Sequence, residues 1–578
     1  MFKENTKHQQ PALISAVSDL PEKQRLRLEQ SWAGTFYQEF FSRINEETFS
    51  VLYSDLPSRP NVPINVLVGL DALKAGFGWS DAELYDHFCY DLQVRFGLGY
   101  DRLGDGDFEI RTLYYFRQRL SQYNVKTGEN LLEKAFEQIT DAQIMDLKVR
   151  TGMQRMDSTQ IASNIVSASR MQLLVEALQR VERILSEADQ TRLAETFAPY
   201  TKDSAGHYTC RVKGQEAMQA HLQEIGKTIH ALLLDLKSSY AAESAYQVLE
   251  RIFADNFHLL ESGPKAKENK ELTSDCLQSV DDLEATYRTK GTGHYKGYVA
   301  NLTETCDPQN PLQLITKVQT ASNNTDDSQL LVEALPNLKQ RTELETIYTD
   351  GGHGGPAADA VLQEQQVEHI QTAIRGLTPN PEKLHLADFT IKFNEDSQPV
   401  KVTCPQGQTE TVHSSSQKKA FVAHFTAEVC QICPLADKCL ARPGSRNPRH
   451  HLRFTQADAR ASERRRHSQE QRKDGRNLRA AVEASVRSLK HPFPAGKLPV
   501  RGKFRVACLL IGSAAVSNVR RIQRYLQAKS KAEIAQQVAP GAEKCTQEQA
   551  GGSFLAFVKT TLAALSGLAR PNLYAMGC

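Results

Sequence analysis

The 578-residue sequence has almost no net charge: 70 Lys and Arg stand against 68 Asp and Glu, a formal +2 at pH 7. Whole-chain charge therefore argues for no partner, and any electrostatic signal must be regional. Long apolar runs are missing as well. The longest, Val506 to Val516, is broken by Gly512 and Ser513 and falls short of the roughly 20 residues that cross a bilayer, so it reads as a buried helix. The opening segment, MFKENTKHQQPALISAVSDLPEKQ, has no apolar core of signal-peptide length, and the expected location is inside the cell. Internal repeats and low-complexity tracts are absent. A composition of 40% hydrophobic and 24% charged residues, with 33 Gly and 23 Pro, excludes a collagen-like or largely disordered chain. The length leaves room for about three to five folded units. The 11 cysteines are an odd number, and seven of them are scattered without spacing that implies bridges, which fits a reducing compartment.

Long-period apolar spacing predicts helices from about residue 20 to 145. One opens on the capping box Ser80-Asp-Ala-Glu83; another follows Phe108 through Leu113, Phe116 and Leu120, with Arg111, Arg117 and Arg119 at polar positions. The acidic stretch Asp101 to Glu109 misses the ligand order of a calcium loop and reads as solvated. A strand-like run within Val149 to Ile165 ends at Met156-Asp157-Ser158-Thr159, and helical spacing returns from about 166 to 260. Further strands are predicted at Tyr298–Thr305, Leu312–Thr320, Thr346–Asp350 and Val367–Thr372, with a helix opening at Asn324 between the second and third of these. This is an α/β arrangement with a helical insertion. Residues 376–450 lose periodicity and gather four cysteines, the mark of a separate small module. One long basic helix is predicted over Gln456–Lys490, then a loop to Arg501 and the apolar helix around Leu509.

Three carboxylates stand out. Asp157 sits at the end of a predicted strand. Asp350 ends another and runs into Gly351-Gly352-His353-Gly354-Gly355, where small residues allow a polyanion or metal close to the backbone. Glu483 lies on the predicted basic helix, where a 3.6-residue repeat puts Arg476, Arg479, Glu483, Arg487 and Lys490 on one face beside an apolar stripe of Leu478, Val482, Val486 and Leu489. Two strand-end aspartates and a helical glutamate among cations suit two divalent metals and a phosphodiester. Between Arg442 and Arg524, 21 Lys and Arg face five acidic residues, a regional charge that points to nucleic-acid contact. The clustered thiols are Cys404, Cys430, Cys433 and Cys439; their spacing suits a structural zinc, with an iron–sulfur cluster or unliganded thiols as alternatives, and His424 as a substitute ligand.

Asp157 in RMDSTQIASNI, Asp350 in YTDGGHGG and Glu483 in RNLRAAVEASVRSLK, followed by Arg501-Gly502-Lys503 and Asn518-Val-Arg-Arg521, resemble the signature of bacterial insertion-sequence DDE transposases. The cysteine module between the second Asp and the Glu is similar to that of a subgroup of them. The resemblance implies an RNase H-like catalytic core with an all-helical N-terminal domain. Two insertions interrupt that core, one helical and one zinc-binding. The expected division is 1–145 helical DNA-recognition domain, 146–165 first part of the core, 166–290 helical insertion, 291–375 second part, 376–450 cysteine module, 451–530 basic part carrying the Glu, and 531–578 tail. It further implies that Asp157, Asp350 and Glu483 hold two Mg²⁺ (or Mn²⁺), that Arg476, Arg479, Arg487, Lys490, Arg501 and Lys503 contact double-stranded DNA, both transposon ends and target, and that a homodimer synapses two transposon ends. The activity implied is cleavage at terminal inverted repeats followed by strand transfer, in a cytoplasmic, nucleoid-associated protein without a membrane segment. A metal-dependent nuclease that does not join strands, and a non-catalytic DNA-binding derivative, are the alternatives.

Overall fold

The alternation in YVANLTET sends Tyr298, Ala300 and Leu302 to one side of a strand, and that side organises the molecule. The computed structural model describes residues 1–538 apart from 11–14, 55, 57–58, 167, 202–213, 373–379, 381, 395–397, 416–419, 445–448 and 474–477. Two units are distinguished, Met1–Ile522 and Gln523–Cys578; the described residues of the second are the last part of the helix Lys503–Val538. The fold mixes helix and sheet. No described helix is long and apolar enough to cross a membrane.

The first strands in chain order are β1 (Met153–Ile161), β2 (Phe257–Leu260), β3 (Gly263–Ala266), β4 (Thr286–Lys290), β5 (Gly293–Thr305), β6 (Ile315–Ser322), β7 (Thr346–Thr349) and β8 (Glu368–Gln371). β2 and β3 form a hairpin; the other six form one sheet. β1 is antiparallel to β5, which is antiparallel to β4 and β6 along different parts of its length. On its other edge β1 runs parallel to β7, and β7 runs parallel to β8. The sheet therefore reads β6-β5-β1-β7-β8. The helix Asp327–Arg341, capped by the Asp326 carboxylate, joins β6 to β7, and Pro356–Glu364 joins β7 to β8.

One face of this sheet, through Met156 and Ile347, packs on Leu331, Leu335, Leu338 and Leu362 of those two helices. The opposite face, through Ile161, Tyr298, Ala300 and Leu302, shares a single continuous core with the N-terminal helices Ile64–Phe77, Ile110–Thr127 and Leu131–Asp146, the short helix Val482–Lys490 and the start of Lys503–Val538. The predicted N-terminal helices thus form no isolated body but a layer on the sheet. The capping box at Ser80 forms as its residues require. The acidic loop is held locally by an arginine. The fully buried Arg95 guanidinium donates to the Asp107 carboxylate and the Asp105 carbonyl while lying over the Phe88 and Tyr100 rings.

The helical insertion after β1 closes a core of its own from Met171, Leu174, Leu178, Ile229, Leu249 and Ile252. The cysteine-bearing stretch differs from expectation. It is a six-stranded antiparallel sheet made of β9 (Thr390–Phe393), β10 (Pro399–Thr403), β11 (Thr409–Ser415), β12 (Ala420–Thr426), β13 (Arg442–Pro443) and β14 (Arg449–Thr455), in the order β13-β14-β12-β11-β10-β9. It has an apolar core from Phe389, Ile391, Val402, Phe425, Leu452 and Phe454. The predicted long basic helix is also two pieces. Gln456–Lys473 ends, residues 478–481 form a turn, and a new helix runs over Val482–Lys490. Only the second piece has an apolar stripe, Val482, Val486 and Leu489, to hold it against the sheet.

Candidate active site

Register places the two aspartates side by side. β1 and β7 pair in parallel through Met153↔Thr346, Gln154↔Ile347 and Arg155↔Tyr348, after which the ladder stops. Two residues beyond that last pair are Asp157 and Asp350, on the same row and, by alternation, on the same face. The sequence context of Asp157 suggested a strand end, and the structure corrects this. It is the middle residue of β1, still paired with Leu302 of β5, but it lies just past the point where β7 leaves.

Glu483 reaches the same face from the far side of the molecule's sequence. Arg479, in the turn before the glutamate helix, puts one guanidinium nitrogen 3.0 Å from Asp157 Oδ1 and another 3.4 Å from Glu483 Oε1. The helix is anchored to the sheet by a buried polar clamp. Glu304 of β5, wholly buried, accepts from Arg155 at 2.7 Å, from Arg521 at 2.8 Å and from the Ser485 hydroxyl at 2.7 Å; Arg155 also donates to the Leu478 carbonyl. Lys490, at the other end of the helix, donates to the Thr159 hydroxyl and the Gln160 carbonyl. None of Arg155, Glu304 or Ser485 was legible as a site residue, because their partners are 149 to 323 positions away in the chain.

Asp350 is held by its own loop. Its Oδ1 accepts from the Gly352 amide at 2.9 Å and lies 2.8 Å from His353 Nδ1, while His353 Nε2 faces the side-chain Oδ1 of Asn301 at 3.4 Å. The glycines serve this packing rather than an open approach to the backbone. A Cβ at Gly352 would meet Asp327 Oδ2 at 2.6 Å, and one at Gly354 would meet Gln371 Nε2 at 2.5 Å. His353 is fully buried; its signal in the sequence was being the one functional side chain in a run of glycines.

The two neighbouring carboxyls are driven in opposite directions. Burial raises Asp157 above the ordinary carboxylate range; Arg479 offsets part of this and the charge of Asp350 adds to it. Burial also pushes Asp350 upward, but the hydrogen bond and charge of His353, the Gly352 amide and Arg479 outweigh it and hold the carboxyl well below that range. Asp157 and Asp350 are largely shielded, whereas the Glu483 side chain is 62% exposed. Hard carboxylate oxygens facing one another across a sheet are the donor set Mg²⁺ takes. Arg479 is the cation that neutralises them here, and among the described residues no three His, Cys, Asp or Glu side chains form a preassembled metal site.

The other predicted DNA contacts divide. Arg487 and Lys503 are exposed. Lys490 turns inward to β1, and burial lowers its pKa. Arg501 donates to the Asn164 carbonyl and pairs with Asp281 at 3.1 Å. Arg476 lies outside the described residues. In the β9–β14 module, Cys404, Cys430, Cys433 and Cys439 line one pocket together with His450, and burial plus the other three thiols raise the Cys430 pKa. His424 is not in that lining; it stands on the opposite face of the sheet.

The arrangement is thus a carboxylate pair on adjacent parallel strands, with a third carboxylate on a helix that packs on β1 and β5. Residues 403–523 match a family described as Transposase DDE domain. That stretch covers most of the cysteine-bearing sheet, the basic helix and Glu483, about a fifth of the chain, and supports a DDE transposase. No curated protein and no solved structure matches the chain.

Proposed function

We propose that this chain is a DDE transposase with an RNase H-like core, which cuts DNA at transposon terminal inverted repeats and joins the freed 3′ ends to target DNA. The observation that carries the proposal is the shared register row of Asp157 and Asp350, with Glu483 tied to it through Arg479. The strand order β6-β5-β1-β7-β8, with its last two strands parallel to β1, supports the RNase H-like reading. Asp157, Asp350 and Glu483 would hold two Mg²⁺ (or Mn²⁺), which when bound supply Lewis-acid stabilisation to the attacking and leaving oxygens. The protein's own part is positional. The sheet sets the spacing of the aspartates, His353 and the Gly352 amide fix Asp350, and the Glu304 clamp fixes the glutamate helix. Arg487 and Lys503 are placed to meet phosphates. The N-terminal helices are assigned to DNA recognition and a homodimer to synapsis of two ends.

The test uses the purified chain, DNA carrying the terminal repeats that flank its gene, and a supercoiled target. D157N, D350N and E483Q should each lose cleavage and joining by about a thousandfold or more, the scale of several kcal/mol of transition-state stabilisation. Full strand transfer by any of the three refutes its assignment. Cleavage without joining by the parent favours the nuclease, and binding without cleavage the non-catalytic derivative. For the cysteine pocket we infer one structural zinc on Cys404, Cys430, Cys433 and Cys439. Metal analysis should give about one zinc per chain, released by C433S.

A further inference from the structure

The sheet β9–β14 has one covered face and one open face, and the open face is cationic. The helix Gln456–Lys473 covers the apolar side through the buried Ala459, with Arg460 laid over the Phe393 ring at 4.6 Å. Alternation along the strands fixes what lies on the other side. Lys401 stands beside Lys392 and across from Thr411, Arg453 is opposite Val422, and Arg449 is opposite Thr426. All four cations are exposed, and none has an ion-pair partner among the described residues.

Between them a row of imidazoles crosses three neighbouring strands. His413, His424 and His451 follow one another with ring centroids 5.8 and 4.7 Å apart, His424 directly opposite His451. Among the described residues of the six strands, no carboxylate stands on this face. Glu410, the one acidic residue in these six strands, is opposite the fully buried Val402 and belongs to the covered side. After burial, the groups acting on His424 are His451, His413, Arg449 and Arg453, all cationic when charged. From β9 to β14 the face spans four strand spacings, about 19 Å. Over that distance a duplex presents on the order of ten phosphate charges.

We propose that this open face is a sequence-neutral docking surface for duplex DNA, with Lys392, Lys401, Arg449 and Arg453 neutralising phosphates and the histidine row hydrogen-bonding to them. The inference rests on the reading of the chain as a DNA-acting enzyme. It adds a contact surface on a different sheet from the carboxylates and on different strands and helices from Arg487 and Lys503.

The test is binding of the full chain to a long duplex of arbitrary sequence over a range of salt, in a D157N background so that the DNA stays intact. K401E/R453E should weaken binding at least about tenfold at low salt and flatten the log–log salt slope by about 0.9 for each phosphate no longer neutralised. H413Q/H424Q/H451Q should weaken binding less. K401Q/R453Q removes charge without reversing it and must shift the slope in the same direction, so a folding defect in the reversal variant cannot mimic the result. If the parent binds duplex and both Lys/Arg variants bind it with unchanged affinity and slope, the docking face is refuted while the transposase reading stands. If those variants lose only single-stranded RNA or anionic vesicles, the face serves another partner and the proposal is equally refuted. If the parent itself binds no duplex, the reading beneath it fails.

Discussion

Asp157 and Asp350 are neighbours on one register row, yet folding treats their charges in opposite ways. Asp157 binds its proton more tightly in the folded protein than in the unfolded chain, so ionising it costs stability as pH rises through its elevated pKa. Asp350 holds its charge more tightly folded than unfolded. Its contribution is complete above the unfolded carboxylate pKa of about 4 and is lost as pH falls from there toward the depressed folded value. Without added divalent metal, D157N should therefore raise the thermal midpoint at pH 7.5 and D350N should lower it. The D350N deficit should shrink as the pH is lowered below about 4. Shifts of the same sign at pH 7.5 would contradict the account. His369, behind this row, is pushed down to about 3 by burial, with the His353 and Arg464 charges adding to the effect, so it is neutral at pH 7.5 and does not enter the comparison of signs made there.

At the scale of the element, the glutamate helix depends on one buried charge. Glu304 is wholly enclosed and serves Arg155, Arg521 and Ser485 at once. E304Q leaves two guanidinium groups short of a counter-charge, and urea unfolding should report a loss of about 3–5 kcal/mol; a loss below about 1 kcal/mol would show that the clamp holds little. This clamp marks the limit of what sequence can reveal. β5 was legible because Ala300 and Leu302 alternate with Asn301 and Thr303 beside a run of β-formers, and the helix Asp327–Arg341 because its leucines repeat at helical spacing. The strand β14, RHHLRFT, alternates just as strictly, but its open face is His and Arg, so an apolar count sees only Leu452 and Phe454. The same blindness made Lys490 look like a phosphate contact. Periodicity gives a residue's face, while only the packed sheet shows that Thr159 and Gln160 lie under it. The break at residues 478–481 was hidden because a run of Arg, Ala and Glu favours helix on either side of it.

Across the whole first unit, apolar burial is divided into separate clusters. One spans the N-terminal helices, the β1-containing sheet and the start of Lys503–Val538; another closes the helical insertion; another closes the cysteine-bearing sheet. Leu249 is wholly buried in the insertion. L249A should cost about 2–5 kcal/mol. Hydrogen exchange should speed up between residues 170 and 280 while the amides of β1 stay protected. Spread of that loss into β1 would mean that the insertion and the sheet unfold as one.

The placement of the carboxylates also sets a timetable. Asp157 and Asp350 can take their shared row as soon as β7 has been made, but the helix Val482–Lys490 follows only after a further 131 residues that include the whole of β9–β14. A chain growing from its N-terminus therefore passes through a long interval in which it carries both aspartates but neither the third carboxylate nor the late helices that complete the core on that face of the sheet. Fragments released in that interval hold an incomplete set of carboxylates, so the site proposed above is assembled only by a chain that extends through Val482–Lys490.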